Sequence, residues 1–306
     1  GESVRPAAAS PDALPLAPFP GGPEAGSWVH GVFEHLDFQG PAARSGHRSV
    51  AELVRAQGQR NGFATSKFDD TLVSALPGIL STPLGGPLGS FCLGQLSATD
   101  RLDELGFDLA VGPGEDWAGH RAVGSAELAE LLGQAREPTP LPSGYLEQVR
   151  GMGFRPLAGF LIGFIDLVFR AEVNGRPQWF VADYKTNTLG RREAHGGRVV
   201  QTGPWAYAHP YMAREVAHKH YYIQYLVYLV ALHRYLRWRL PDYDYERDVG
   251  GAVYLFVRGM TGPDTPAVPT SPAVPGPQVN GAFFDKPPRA LVEGLSNLLE
   301  RVEIAP

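Results

Sequence analysis

Three residues between positions 163 and 187, Asp166, Asp183 and Lys185, have the types and spacing that phosphoryl chemistry uses. The stretch holds two β-rich runs flanking Asn174-Gly175, the strongest short-range signal for a two-residue hairpin turn. Asp166 lies eight positions before Asn174 and Asp183 eight after Gly175, so such a turn sets the two carboxylates directly opposite one another. Side chains alternate along a strand, which puts Lys185 on the face of Asp183. The same alternation places Ile162, Phe164, Val168, Trp179 and Val181 there, so the charges are expected among apolar residues. Opposed like charges destabilise a sheet, and carboxylates withdrawn from water need partners or a metal. A hard divalent cation, Mg²⁺ or Mn²⁺ rather than Zn²⁺, suits an oxygen donor set. A protonated Lys185 is no ligand; its use is to hold an attacking water or to stabilise negative charge in the transition state. The combination points to metal-assisted hydrolysis of a phosphodiester. The alternative is a surface hairpin with an ordinary Asp–Lys ion pair, which adds little stability.

The elements that must position these groups follow from pattern. A helix over residues 27–36, with Ser27 as its cap, carries Trp28, Val32, Phe33 and Leu36 on one side and His30 and Glu34 on another. A second helix is expected from Lys67 to Leu76, with Pro77-Gly78 as its stop, and a third over 126–136. Residues 101–111 read as a strand with an irregular start, and 191–202 as a polar, Arg-rich loop. Sustained helical spacing over 214–240 predicts one long helix ending at Pro241. Residues 251–258 read as a buried strand, 263–277 as a flexible Pro-rich segment, and 288–302 as an amphipathic closing helix. Helices before and after a hairpin argue for an α/β domain, a mixed sheet flanked by helices. Residues 1–25, rich in Pro, Ala and Gly, read as a flexible linker ahead of a single domain over 26–306.

Composition narrows the function classes. The net charge of −5 excludes a chain that binds nucleic acid by bulk charge; a local basic groove is required instead. A single cysteine, Cys92, excludes a disulfide framework or a multi-cysteine metal site and suits a reducing compartment such as the cytoplasm. Cys92 itself is read as a packing residue. No run of about 18 apolar residues signals a membrane span. No G-x-x-x-x-G-K-[ST] phosphate loop occurs. Gly1 opening directly into a Pro/Ala-rich stretch suggests a piece of a longer protein.

The Asp…Asp-x-Lys pattern on a hairpin resembles the PD-(D/E)xK nuclease superfamily. The segments GFIDLVF, DYKTN, QYLVY, ALHRYLRWRLPDYDYER and GGAVYLFVRGM are similar to the family of RecB C-terminal nuclease domains. The resemblance implies a restriction-endonuclease-like α/β fold. It also implies a Mg²⁺-dependent deoxyribonuclease of the exodeoxyribonuclease V type, acting in double-strand-break repair and recombination. Within WVHGVFEHLDF it puts a metal-binding role on His30, with Glu34 at the edge of the site. Asp166 and Asp183 correspond to the metal carboxylates, Lys185 to the catalytic lysine, and the Tyr184 carbonyl to a further ligand. An acidic residue of an early strand falls on Glu104, with Gly106 in place of a second acid. Gln224 and Tyr228 match a Q-x-x-x-Y motif whose members share a helix face and reach the DNA backbone or the lysine.

Arg191, Arg192, Arg198, Arg234, Arg237 and Arg239 are candidates to line a DNA channel. The implied partners are single strands of unwound DNA, RecC-like and RecD-like subunits, and the recombinase RecA, with any helicase motor outside this stretch. Two other readings stay open: a nuclease-fold docking module that recruits recombinase or subunits, and a stand-alone RNA or flap nuclease.

Overall fold

The computed structural model describes residues 14–40, 42–43, 49–63, 66–111, 124–134, 141–153, 159–192, 199–201, 203–268 and 276–300. Its centre is a five-stranded sheet of β1 (Arg101–Val111), β2 (Gly159–Val173), β3 (Arg176–Lys185), β4 (Val249–Phe256) and β5 (Ala282–Asp285). The spatial order is β5-β4-β3-β2-β1. Only the β3–β4 pair is parallel. A parallel pair needs a crossover, and the chain between these strands supplies it as α6 (His209–His218), α7 (Tyr221–Arg239) and the short α8 (Tyr245–Asp248). Before the hairpin lie α1 (Pro23–His35), α2 (Val50–Arg60), α3 (Asp69–Ser81), α4 (Ser125–Gln134) and α5 (Tyr145–Arg150); α9 (Arg289–Glu300) follows β5.

The β2–β3 turn has φ of 51° at Asn174 and 76° at Gly175. That is the mirror-image turn whose twist matches two strands. It fixes the register as expected, from Val173↔Arg176 to Leu167↔Ala182. The sheet separates two apolar layers. Leu167, Phe169, Phe180 and Ala182 face the layer holding α1, α2 and α3. Val168, Val181, Ala252 and Tyr254 face the layer holding α4, α7 and α9. Helix α7 is apolar nearly all round because it lies between the sheet and α9, where Arg234 donates to Ser296 Oγ at 3.0 Å and Ser296 O at 2.9 Å.

Helix α1 begins at Pro23, four residues before the expected Ser27, because proline is preorganised for the first helical position. Its stripe Ala25, Trp28, Val29, Val32 and Phe33 is buried. Trp28 Nε1 donates to Val54 O at 2.7 Å, and a Cβ at Gly58 would stand 2.8 Å from the indole, so α1 and α2 touch only because residue 58 is glycine.

Several expectations are corrected. The linker over 1–25 is packed in its later part: Leu14, Leu16 and Phe19 are buried, and residues 1–13 lie outside the described residues. Helix α3 continues through Pro77 to Ser81, since burial of Leu76, Ile79 and Leu80 outweighs the lost hydrogen bond. The long helix over 214–240 is two helices, broken at Lys219-His220, where His220 takes φ 55°. The polar loop begins and ends as a paired arm, Gly190–Arg192 with Val199–Gln201, and residues 193–198 lie outside the described residues. The Pro-rich segment is flanked by pairing of Ala267–Val268 with Gln278–Val279, and residues 269–275 lie outside the described residues. Among the described residues no helix is long and apolar enough to cross a membrane.

Candidate metal and phosphoryl-transfer site

The site forms where the sheet splits. The β2–β3 ladder ends at Leu167↔Ala182, and at the next position Asp166 Oδ2 accepts the Tyr184 N–H at 2.9 Å. On the other side of β2 the β1 ladder runs through Asp103↔Leu167 and Leu105↔Ile165 but skips Glu104 and Asp166. Glu104 there has φ 51°, a conformation uncommon for any residue but glycine. Backbone held in such a region inside a strand marks a place the surroundings over-determine.

This kink corrects the expected face assignment. Ile165 and Val168 are three apart yet both pack in the α7 layer, so alternation changes sense across Asp166. As a result Ile162 and Phe164 are exposed, at 67% and 59%, while Val168 and Val181 are buried. The ladder stops one position short of pairing the two aspartates, and they serve different neighbours.

Asp166 turns toward α1. His30 Nδ1 lies 3.3 Å from its Oδ2, and His30 Nε2 donates to the Tyr184 carbonyl at 2.7 Å. The apolar stripe of α1 sets this approach, with the Phe33 ring stacked 4.3 Å from the Tyr184 ring. His30, Glu104 and Asp166 each offer a ligand atom within 4.8 Å of the others. Glu34 is exposed at the rim, outside that group.

Asp183 turns toward α7 and is 1% exposed. Its Oδ1 stands 2.6 Å from Lys185 Nζ, a buried ion pair. Lys185 Nζ donates to Gln224 Oε1 at 3.2 Å, the same oxygen accepts the Tyr254 hydroxyl at 2.9 Å, and Gln224 Nε2 donates to Tyr228 Oη at 2.8 Å. The Q-x-x-x-Y pair therefore meets the lysine. Tyr228 also packs its ring 5.9 Å from Phe107, so it belongs to the core as well as to this network.

The electrostatics follow from crowding acids at a dry strand end. Burial, then the charge of Asp166, pushes the Asp183 carboxyl up to about 7 despite Lys185. Glu104 is raised by burial, by Asp166 and by Glu34. Burial pulls His30 down, but the hydrogen bond and charge of Asp166, with Asp183 and the Tyr184 carbonyl, outweigh it and hold its proton more tightly. Protons sit where excess negative charge accumulates, and a divalent cation relieves the same repulsion. The donor set, one imidazole, carboxylates and a backbone carbonyl, fits a hard cation.

The structure thus gathers His30, Glu104, Asp166, Asp183, Tyr184, Lys185, Gln224 and Tyr228. Sequence reasoning missed Tyr254 and Tyr221, whose rings lie 5.0 and 4.1 Å from Lys185 Nζ. Tyr221 was within reach, three residues before Gln224 on the same helix face. Tyr254 was not, because it meets Asp183 through the parallel register Asp183↔Tyr254. Of the proposed channel arginines, Arg234 is engaged with α9 and Arg239 stacks on Trp238, 4.9 Å from the ring. Arg198 lies outside the described residues, as do the side chains of Arg191 and Arg192.

A profile of the PD-(D/E)XK nuclease superfamily matches residues 11–293. The chain is 36% identical over 295 residues to the RecBCD enzyme subunit RecB of Mycobacterium tuberculosis, covering 94% of this chain and 24% of that protein. It is 34% identical over 299 residues to RecB of Mycolicibacterium smegmatis, covering 97% and 26%. It is 34% identical over 242 residues to RecB of Escherichia coli, covering 79% and 17%. The chain spans about a quarter or less of the length of these relatives.

Proposed function

The chain belongs to the PD-(D/E)XK nuclease superfamily, and from that premise we propose that it is a RecB-type nuclease domain hydrolysing phosphodiester bonds of DNA. The observation that supports this reading best is the meeting of His30, Glu104 and Asp166 with the buried Asp183–Lys185 pair at one split in the sheet. His30, Asp166, Asp183 and the Tyr184 carbonyl, joined by Glu104, would hold Mg²⁺, with Mn²⁺ as a substitute. When bound, such an ion supplies Lewis-acid polarisation of the phosphate and an acidified water.

The chain's own residues do the rest. Lys185 presents a fixed ammonium to the charge that develops on the phosphoryl oxygens. Gln224 holds that ammonium from α7, and Tyr254 and Tyr228 hold Gln224 in turn. The Tyr221 and Tyr254 rings face the ammonium and limit its alternatives. His30 orients Asp166 and the Tyr184 carbonyl against one another. The wider setting is proposed from the RecB relatives: DNA single strands as substrate, RecC-like and RecD-like subunits and RecA as partners, and action in the cytoplasm in double-strand-break repair.

The test is digestion of end-labelled linear and single-stranded DNA with Mg²⁺ and with chelator, comparing the chain with Asp183→Ala. Mg²⁺-dependent shortening that disappears in the variant is expected; undiminished cutting by Asp183→Ala would falsify the assignment. Calorimetric titration with Mg²⁺ separates the docking-module reading, which requires no metal binding.

A further inference from the structure

Past Lys185 the chain turns through residues 186–190 along the side of α6, enclosing an open cavity of about 640 Å³. Its wall is Asn187, Thr188, Leu189 and Gly190; its other side is Tyr211, Arg214, Glu215 and His218, with Lys219. Tyr211, Arg214, Glu215 and His218 stand at i, i+3, i+4 and i+7 of α6, so they form one helix face.

The wall is held in place. Arg258 Nε donates to Thr186 O at 2.8 Å, and the Tyr207 hydroxyl donates to Asn187 O at 3.0 Å and accepts the Leu189 N–H at 3.2 Å. Asn187 Nδ2 donates to Glu215 Oε1 at 2.8 Å, which turns the one carboxylate of the groove toward the wall. Arg214, His218 and Lys219 are exposed, and among the described residues none of them is in an ion pair. At the rim, Trp205 and Tyr211 are exposed at 47% and 42%, with ring centres 5.4 Å apart.

The groove is continuous with the candidate site. Lys185 Nζ lies 4.1 Å from the centre of the Tyr221 ring, whose hydroxyl donates to Asn187 Oδ1 at 3.4 Å. Exposed cations beside an exposed aromatic pair, with the Arg214 guanidinium 5.8 Å from the Tyr211 ring centre, are what a single strand requires, since phosphates need charge and unpaired bases need a flat apolar face. An acidic protein surface would use the cations and leave the rings without a purpose.

We propose that this groove carries single-stranded nucleic acid next to the cutting site: Arg214 and Lys219 neutralise phosphates, His218 adds a donor, and the Trp205–Tyr211 pair receives a base. The inference rests on the nuclease reading and names where its substrate lies.

The test is fluorescence anisotropy of a labelled oligothymidine of about 16 nucleotides with the 306-residue chain, across a salt series, in chelator. Arg214→Ala/Lys219→Ala is expected to bind about tenfold more weakly, with a salt slope shallower by about 1.4 for two lost phosphate contacts. Trp205→Ala/Tyr211→Ala is expected to bind about tenfold more weakly with its salt slope unchanged. Parental affinity and slope in both variants overturn the proposal. So does heparin binding as tight as oligothymidine with no effect of the aromatic substitutions, which marks a surface for polyanions or an acidic protein. Failure of the underlying reading looks different: the unsubstituted chain then neither binds Mg²⁺ nor cuts DNA, whatever the groove variants do.

Discussion

Lys185 at the end of β3 donates to Gln224 on α7 at 3.2 Å, and this bond joins the end of the central strand to a helix of the crossover. Gln224 uses both ends of its amide, accepting from Lys185 and Tyr254 and donating to Tyr228. Its role is therefore to position the ammonium, and its removal frees Lys185 to lean wholly on Asp183.

Gln224→Ala is expected to lower the turnover number about 10- to 100-fold, less than loss of a direct charge stabiliser, because Gln224 acts through Lys185. Mg²⁺ affinity and KM for DNA should change little, because Gln224 touches neither the His30–Asp166 group nor the α6 groove. Steady-state kinetics paired with calorimetry checks this; a loss confined to KM would contradict a positioning role.

His30→Ala and Glu104→Gln are each expected to weaken Mg²⁺ binding by about tenfold or more, since each removes one donor from a group whose atoms lie within 4.8 Å. Glu34→Gln, at the exposed rim, should leave the affinity within about twofold. Calorimetric titration of the three variants orders them, and equal affinities throughout would remove His30 and Glu104 from the ligand set.

The pH dependence follows from Asp183. Its carboxyl is pushed up to about 7 by burial and by Asp166, from an ordinary value of 3.8. Between those values the folded, metal-free chain holds a proton that the unfolded chain has released. Its stability is thus highest at the acid end and falls as pH rises toward about 7. Mg²⁺ must displace that proton, so its apparent affinity should rise from pH 6 to pH 8. Titrations in buffers of different ionisation enthalpy report the proton released, and a pH-independent affinity would contradict the linkage.

Arg258 carries the stability of the site's far wall. Its guanidinium is 1% exposed and donates to Leu16 O, Phe19 O, Pro20 O and Thr186 O. Burial lowers its proton affinity, yet these carbonyls keep it satisfied. Arg258→Met leaves four carbonyl acceptors without their donor, those of Leu16 and Phe19 in buried contacts, and is expected to destabilise the chain by about 2–4 kcal/mol. Chemical denaturation measures it, and limited proteolysis should show earlier cleavage near residues 14–20.

The elements that sequence reasoning placed well are those with local causes. The Asn174-Gly175 turn sets the register of β2 against β3 without help from the rest of the chain, because both residues must take positive φ. The strand over 101–111, its irregular start included, and the helices near 126–136 and 288–302 were equally legible from periodicity. Errors arose where tertiary packing overrode local preference. Burial of its last turn carries α3 through Pro77, and His220 breaks an otherwise unbroken helical pattern.

By itself, then, the sequence determined that Asp166 and Asp183 fall just past the last paired residues of one hairpin, that Lys185 follows, and that Gln224 and Tyr228 share a face. Those relations depend only on a turn, a strand period of two and a helix period near four. Which carboxylate meets which neighbour was decided by the tertiary structure alone. Glu104 at φ 51° interrupts the β1–β2 ladder and reverses alternation, so Asp166 joins His30 while Asp183 is buried with Lys185 beneath α7. The parallel register bringing Tyr254 to Asp183, and the break at His220 that leaves α6 as the flank of a cationic groove, come from contacts between segments far apart in the chain. No local pattern encodes them, because each is selected by the packing of the whole sheet.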